Sequence, residues 1–232
     1  MSSPSALFFG SIGSVAETSD IQRRAYNAAL SDAGLDWQWD EPTYRELLEQ
    51  AGGKDRLSML SAATNANLSD DQIDAIHAKK TETACADVLA GGTELRPGVR
   101  ELMQAARDRG MKVGFVTTTY QPNIDAVLDA AGLSRDDFDY VGGREDVASG
   151  KPDPECYQRA LDQLGLDGAD CIAVEDTANS VMAAKRAGLT TIATPGAYTD
   201  GQDFWQADMI AGSLADGSGS VRPDILELFD GR

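Results

Sequence analysis

The spacing of apolar positions changes along the chain and divides it into stretches of different character. Residues 7–9 are a short apolar run closed by glycines, which is typical of a buried parallel strand. From residue 18 to about residue 92, apolar residues recur at helical spacing, with Gly, Asn or Asp breaks between the segments. This stretch predicts an all-helical block.

Beyond residue 98, short apolar runs alternate with amphipathic segments of helical period. Such alternation indicates βαβ units, a parallel sheet and right-handed crossovers. The predicted strands are 112–117, 139–143, 171–175, 190–194 and 209–214, and the predicted helices are 99–110, 123–132, 154–165, 178–188 and 222–229. The expected fold class is therefore α/β, a Rossmann-like parallel sheet core with helices on both faces plus an inserted all-helical cap domain. We assign residues 1–15 and 93–232 to the core and residues 16–92 to the cap.

The carboxyl ends of the predicted strands are where a ligand site is expected, because open α/β sheets bind ligands at that edge. The residues at these ends are Gly10, Thr117, the loop before Lys151, Glu175 and Asp176. The pattern predicts that they converge on one crevice, roofed by the helical block.

The charge balance restricts the classes of partner. The net charge is −18 and the isoelectric point is near 4.3, a field that repels nucleic acid and anionic membranes. A phosphate site in such a protein needs local positive charge. No long block of like charge is present, which favours a solvated acidic surface over an acidic binding tail.

Cysteine usage and the lack of long apolar runs bear on location. Cys85, Cys156 and Cys171 are scattered and form no CxxC pair, which argues against a disulfide framework and for a reducing compartment. Cys171 opens an apolar run and is expected in the core. The N-terminal residues do not resemble a signal peptide, and no apolar run reaches membrane-spanning length, so we expect a cytoplasmic protein.

Four separated segments carry a family resemblance. They are ALFFGSIGSVAET at 6–18, VTTT at 116–119, GKPDPE at 150–155 and VEDTANS at 174–180. In order and spacing they resemble the phosphate-handling motifs of the haloacid-dehalogenase-like (HAD) phosphatases. The helical block points to the branch with a cap after the first strand, which includes β-phosphoglucomutase and the CbbY-type sugar bisphosphate phosphatases. The resemblance covers nearly the whole chain.

The resemblance implies roles for several strand-end residues. Thr117 and the following backbone N–H would hold a phosphoryl oxygen, Thr118 would supply a further donor, and Lys151 would be the point charge facing the phosphate. Asp176 would ligate Mg²⁺, and Glu175 would orient the lysine and the metal's waters. Simpler interpretations also stand: Thr117 suits a strand by propensity alone, and Asp176 is a candidate cap of the next helix.

The first motif departs from the family pattern. The family ends its first strand in D-x-D-G-T, whereas this chain has Gly10, Ser11, Ile12, Gly13 and Ser14. In the family the first Asp is the nucleophile and a metal ligand, and the second is the general acid and base. Gly10 has no side chain and Ile12 carries no proton, so a phosphoaspartate cannot form at either position. We expect Mg²⁺ binding to be weakened or absent.

The cap segment keeps part of the family's appearance. Arg24 and the loop at 52–56, with Lys54, resemble positions from which related enzymes contact the sugar phosphate, although Lys54 also suits an exposed helix start. Gln22 stands where relatives often carry His. The single histidine, His77, lies in a helical run and is expected at the surface or in the cap core.

Three functions follow. The first is a catalytically impaired protein of HAD hydrolase fold that binds a phosphorylated sugar or similar metabolite. The second is an active Mg²⁺-dependent sugar-phosphate hydrolase with relocated chemistry, in which Glu17, Asp20 or Asp176 activates water, or Ser11 or Ser14 acts as the nucleophile although neither has a recognisable base beside it. The third is a non-catalytic interaction protein in which Asp176 and Lys151 are structural, with a protein partner that the sequence does not identify.

Overall fold

The computed structural model describes residues 4–49 and 52–230. Its centre is a six-stranded sheet in the order β3-β2-β1-β4-β5-β6, with every neighbouring pair parallel. The strands are β1 (Ala6–Phe9), β2 (Lys112–Val116), β3 (Tyr140–Gly142), β4 (Cys171–Glu175), β5 (Thr190–Ala193) and β6 (Met209–Ile210). Strand β1 lies between β2 and β4, so residue Gly10 leaves the sheet at its centre.

The α-helices follow the sequence pattern closely. They are α1 (Ile12–Val15), α2 (Ser19–Asp32), α3 (Glu41–Leu48), α4 (Gly53–Thr64), α5 (Asp70–Asp87), α6 (Val99–Asp108), α7 (Gln121–Ala130), α8 (Glu155–Leu164), α9 (Ala178–Arg186) and α10 (Pro223–Phe229). Helix α5 illustrates the local cause. Ser69 accepts from the Gln72 N–H while the Gln72 side chain accepts from the Ser69 N–H, a capping box written in the order Ser-Asp-Asp-Gln.

The sheet is covered on both faces, as the alternation of strands and helices predicts. Leu7 and Phe9 of β1 belong to an apolar cluster with α6, α7 and α10, whereas Ala6 and Phe8 pack with α8 and α9. Successive side chains of a strand point to opposite faces, so a strand buried on both sides is apolar throughout. The predicted fold class is confirmed.

Helices α2 to α5 form the block that the sequence predicts between the first two strands. Their apolar side chains pack in a separate cluster that contains Tyr26, Leu57 and Ile73, and Tyr198 from the loop after β5 inserts into it. Ala16 and Leu95 form an antiparallel bridge where the chain leaves and re-enters the sheet layer. The boundaries at residues 16 and 92 remain a prediction.

Among the described residues, the helices lack the combined length and apolar character that crossing a membrane requires. Cys85, Cys156 and Cys171 are free thiols. The Cys171 side chain is fully buried at the start of β4, as expected for a packing residue.

Candidate functional site

A cavity of about 320 Å³ lies at the carboxyl edge of the sheet. Its floor is formed at the strand ends by Gly10, Thr117, Thr118, Lys151 and Asp176. Its roof comes from α2, α4 and α5 through Gln22, Tyr26, Lys54, Arg56, His77 and Lys80. Cavities of this size are typical of small-molecule sites.

The cavity carries positive charge in an otherwise acidic protein. Among the described residues, its lining has two carboxylate side chains, Asp55 and Asp176, and more cationic ones. The cationic residues are Lys54, Arg56, Lys80, Arg144 and Lys151. This supplies the local compensation that an anionic ligand requires.

Lys151 is almost completely buried in the floor of the cavity. Its ammonium Nζ donates to the carbonyl oxygen of Gly10, to the Val116 carbonyl at 3.0 Å and to Glu175 Oε1 at 2.6 Å. Only 4% of the lysine side chain is exposed, and none of the Glu175 side chain is. The two charges therefore form a buried pair that spans the ends of β1, β2 and β4.

Tyr157 of α8 completes this buried group. Its hydroxyl donates to Glu175 Oε1 at 2.6 Å, so the same carboxylate oxygen accepts from both Tyr157 and Lys151. Burial, followed by the charge of Glu175, raises the pKa of Tyr157 well above its ordinary value. The phenol is a neutral donor, and Glu175 Oε2 is buried without a hydrogen-bond partner among the described residues.

The space beside Gly10 is filled by these two side chains. A Cβ atom on Gly10 would lie 2.0 Å from the Tyr157 hydroxyl and 2.1 Å from Glu175 Oε1. Separations of that size are far inside van der Waals contact, so any side chain at position 10 requires both neighbours to move. The carboxylate of Glu175 stands where a side chain at position 10 would begin.

Asp176 follows β4 and faces the first loop. Burial, followed by the charge of Glu175, raises the pKa of the Asp176 carboxyl to about 6, and a hydrogen bond from Ser11 opposes the rise. Its Oδ1 atom is buried without a hydrogen-bond partner among the described residues. A Cβ atom on Gly13 would lie 1.7 Å from Asp176 Oδ2, so glycine there makes room for the carboxylate.

The expectation that Asp176 caps the next helix is wrong. The N-cap of α9 is Thr177, whose hydroxyl oxygen accepts from the Ser180 N–H. The sequence offers two adjacent capping side chains, and the shorter hydroxyl takes the position. Asp176 is thereby left facing the cavity.

The threonines after β2 form a compact group of hydroxyls. Thr117 donates to Thr119 Oγ1 at 3.0 Å and accepts from the Thr119 N–H at 3.1 Å. Thr117 is almost completely buried, and Thr118 beside it is half-buried on the cavity wall. The structure thus places Thr117, Thr118 and Lys151 together, while their role toward phosphate stays a prediction.

On the cap side, Lys54 and His77 meet Tyr120 of the core. Lys54 pairs with Asp74 at 2.7 Å and lies 5.8 Å from the centre of the Tyr120 ring, and the His77 ring lies 5.0 Å from the same ring. Burial, followed by the charge of Lys80, lowers the pKa of His77 to about 4. His77 is therefore a neutral residue between the cap and the core, buried as one of the two expectations had it.

Lys80 is the least compensated cation of the roof. Its side chain is 7% exposed, and its Nζ lies 4.8 Å from the centre of the Tyr26 ring. Burial, followed by the charge of Arg56, lowers the pKa of Lys80 to about 7. Among the described residues, no carboxylate pairs with it.

Arg24 is not brought to the cavity. Its guanidinium pairs with Asp20 at 2.9 Å and with Asp87 at 3.8 Å, and its side chain is 55% exposed. The side chains that line the cavity in the described part of the chain do not include it. Gln22 and Tyr26 are on the side of α2 that faces the cavity. Arg24 therefore lies on the outer side of the cap.

The carboxylates near the cavity floor do not fit a resident Mg²⁺ ion. Mg²⁺ needs near-octahedral oxygen ligands. Gly10 offers no carboxylate, Glu175 is taken by Lys151 and Tyr157, and the Ile12 carbonyl accepts from the Ala16 N–H at 2.8 Å. Residues 4–49 and 52–230 contain no cluster of three or more His, Cys, Asp or Glu side chains suited to a metal.

Lys80 and Tyr157 are site residues that the sequence pattern does not predict. Both lie in helices whose apolar pattern predicts only packing. His77 and Lys80 stand three residues apart, so the spacing places them on one face of α5. That spacing was a readable signal, whereas nothing in the pattern around Tyr157 points toward Gly10.

Comparison with known proteins agrees with the fold and the motifs. The profile of the haloacid dehalogenase-like hydrolase family matches residues 8–188. Protein CbbY of Rhodobacter capsulatus is 36% identical over 223 residues, covering 95% of this chain and 98% of that protein.

Solved structures show the same likeness. CbbY from Rhodobacter sphaeroides in complex with phosphate has a TM-score of 0.84 and 35% identity, covering 93% of this chain and 98% of that one. A variant of that protein in complex with xylulose-(1,5)bisphosphate also has a TM-score of 0.84 and 35% identity, covering 94% and 100%. The family match spans well over half of the sequence, and this chain therefore belongs to the haloacid dehalogenase-like hydrolase family, with relatives of the CbbY type.

Proposed function

We propose that this protein binds a phosphorylated sugar or a similar phosphorylated metabolite and does not hydrolyse it through a phosphoaspartate. The proposal is supported by a cavity of suitable size whose lining carries an excess of cationic side chains. CbbY from Rhodobacter sphaeroides, a relative at 35% identity, has been solved with phosphate and with a sugar bisphosphate. We extend that class of ligand to this chain.

One observation carries the loss of the usual chemistry. The space beside Gly10 is taken by the Glu175 carboxylate and the Tyr157 hydroxyl, and the buried side chain of Ile12 offers no acid or base. A covalent phosphoryl intermediate needs a nucleophilic side chain within reach of the phosphorus atom. Neither position supplies one.

The experiment compares ligand binding with phosphate release. The native protein is titrated with sugar mono- and bisphosphates by calorimetry, and release of inorganic phosphate is followed in the presence of Mg²⁺. We expect binding without release. Phosphate release that persists in the native protein and disappears in Lys151→Ala contradicts the proposal, as does the lack of binding to any sugar phosphate.

A restored variant tests whether the rest of the site is still competent. A side chain at Gly10 collides with both the Tyr157 hydroxyl and the Glu175 carboxylate. The variant therefore combines Gly10→Asp and Ile12→Asp with Tyr157→Phe, which removes the nearer contact, while Glu175 must still move away from the new side chain. If the triple variant releases phosphate and the native protein does not, the result would support the view that the pocket lacks only its two catalytic carboxylates.

A second candidate is a hydrolase in which Asp176 activates water directly. The Oδ1 atom of Asp176, buried at the cavity without a hydrogen-bond partner among the described residues, favours Asp176 over the other acidic candidates. Asp20 is paired with Arg23 and Arg24, and Glu17 accepts from the N–H groups of Ser19 and Ala197. Native phosphate release abolished by Asp176→Asn would establish this alternative.

A further inference from the structure

A loop of the core, residues 194–202 between β5 and β6, reaches into the helical cap. Its tip is Tyr198, whose side chain is 8% exposed and packs in the apolar cluster of the cap. The Tyr198 ring meets Tyr44 of α3 edge-on, with the ring centres 5.9 Å apart, and the Arg45 guanidinium lies 5.5 Å from the centre of the Tyr198 ring. A side chain of the core is therefore buried among residues of the cap.

Polar contacts reinforce this insertion. The Tyr198 hydroxyl donates to Asp20 Oδ1 at 3.0 Å and accepts from Arg23 Nε at 3.3 Å, and both partners belong to α2. On the same loop, Asp200 pairs with Arg45 of α3 at 2.5 Å. Two cap helices thus hold the loop, so Tyr198 can leave only if apolar, aromatic and hydrogen-bond contacts break together.

The two ends of the loop are fixed to the core. Arg96 donates from Nη1 to the Thr194 carbonyl at 2.6 Å and from Nη2 to the Pro195 carbonyl at 2.9 Å. At the other end, Gln202 Oε1 accepts from the Ala178 N–H at 2.9 Å. Because both ends are held, the tip of the loop keeps a defined position relative to the sheet.

The two chain segments that join the cap to the core lie side by side. Ala16 and Leu95 form an antiparallel bridge, and the Arg96 N–H donates to the Val15 carbonyl at 2.8 Å. Two adjacent connections leave a rotation about their common line, as in hinged domains. Tyr198 attaches the cap to the core at a further point, on α2 and α3, and so restrains that rotation.

We propose that Tyr198 holds the cap closed over the cavity, and that release of this side chain from the cap cluster limits the exchange of ligand. We call this contact the Tyr198 latch. The side chains that line the cavity within residues 4–49 and 52–230 do not include Tyr198, so it acts on access and not by touching the ligand. The latch itself is independent of the proposed function, whereas its effect on ligand exchange rests on that function.

A thiol on the cavity floor measures how often the cap opens. It is introduced by Thr117→Cys, because Thr117 is 2% exposed at the floor, and the half-buried native thiol is removed by Cys85→Ala. A bulky maleimide should reach the floor thiol only when the cap lifts, so the labelling rate follows the open fraction. Cys156 and Cys171, buried in the core, report global unfolding of the same molecule by mass spectrometry.

In this background we expect Tyr198→Ala to label the floor thiol roughly 100-fold faster, the size expected for deletion of a buried aromatic side chain. Tyr198→Phe keeps the ring and removes the hydroxyl, and should raise the rate about 5- to 20-fold. The matched control is Trp205→Ala, which should not change the rate, because Trp205 follows the loop and is 75% exposed. An unchanged rate in Tyr198→Ala, or labelling of Cys171 that rises by the same factor, overturns the latch.

Ligand kinetics separate the latch from the proposed function. Stopped-flow mixing with xylulose 1,5-bisphosphate compares the native protein with Tyr198→Phe. Association and dissociation rates should both rise about 5- to 20-fold, while Kd changes by less than about 3-fold, because the closed state still predominates. A higher Kd without faster exchange overturns the effect on ligand exchange. If the native protein binds no sugar phosphate, the proposed function fails, and the labelling rates still decide the latch.

Discussion

Glu175 Oε1 lies 2.1 Å from the point where a Cβ atom on Gly10 would stand. The loss of a side chain at the end of β1 is thus accompanied by a carboxylate from β4 in the same space. Tyr157 donates to that oxygen from the other side, at 2.6 Å. Gly10, Tyr157 and Glu175 are therefore packed together as one group. A side chain added at position 10 would disturb all three residues.

Gly10→Ala is expected to destabilise the protein by about 1–3 kcal/mol, the usual cost of overpacking a filled core. Adding Tyr157→Phe removes the hydroxyl nearest the new Cβ, so the double variant should recover part of the loss. The free energy of unfolding in urea measures both. Gly212→Ala is the control, since no atom of the described residues lies within 4 Å of a Cβ at that position. A neutral Gly10→Ala would show that the space is open.

Glu175→Gln tests the buried pair under the cavity floor. Removing one partner leaves the Lys151 ammonium buried without its counter-charge, which typically costs about 3–5 kcal/mol. The double variant Lys151→Met/Glu175→Gln should be less destabilised than Glu175→Gln alone, because it no longer buries a lone charge. Both are measured by urea unfolding. Glu82→Gln breaks the exposed pair with Lys79 and should cost less than about 1 kcal/mol.

The fold was readable from the sequence because its causes are local. Buried parallel strands are continuous apolar runs, and helices carry their own period and caps, so the order of elements follows from spacing alone. The strand-end rule then identifies Thr117, Lys151 and Asp176 as neighbours. Each of these inferences uses only residues close together in the chain.

Which side chains of the site are occupied by other residues depends on contacts between segments that are distant in the sequence. The spacing of residue types along the chain does not reveal such contacts. Tyr157 of α8 reaches Glu175 at the end of β4, and together they fill the space beside Gly10. Arg24 resembled a cavity residue, yet its ion pair with Asp20 one helical turn away holds it outside. Partners of this kind decide whether a cationic side chain is already paired within the protein or can contact a ligand.

Asp176 should make stability fall as pH rises. Its pKa is about 6 in the folded protein against 3.8 ordinarily, so between these values the folded state holds the proton more tightly than the unfolded state. The penalty of ionisation is absent below the lower value and complete above the higher one, on the order of 2–3 kcal/mol.

Asp176→Asn removes that penalty. We expect the variant to be more stable than the native protein at pH 7.5 and similar to it at pH 4, when unfolding is followed in urea with a metal chelator present. A variant that is less stable than the native protein at pH 7.5 would instead support a structural role for the Asp176 carboxylate.

Lys80 should make the stability of the protein rise with pH, over a higher pH range than the one in which Asp176 lowers it. Its pKa is about 7 in the folded protein against 10.5 ordinarily, so between these values the unfolded state binds more protons. The contribution of Lys80 to the free energy of unfolding therefore rises with pH across this window, because below pH 7 the folded protein must bury a charged ammonium. Lys80→Met should be more stable than the native protein at pH 7, by on the order of 3–5 kcal/mol. That advantage should shrink steadily toward pH 9.5.

Urea unfolding at several pH values measures the difference, with Lys79→Met as the control that shows no such trend. An advantage that does not change with pH would mean that Lys80 remains charged in the folded state and already has a counter-charge.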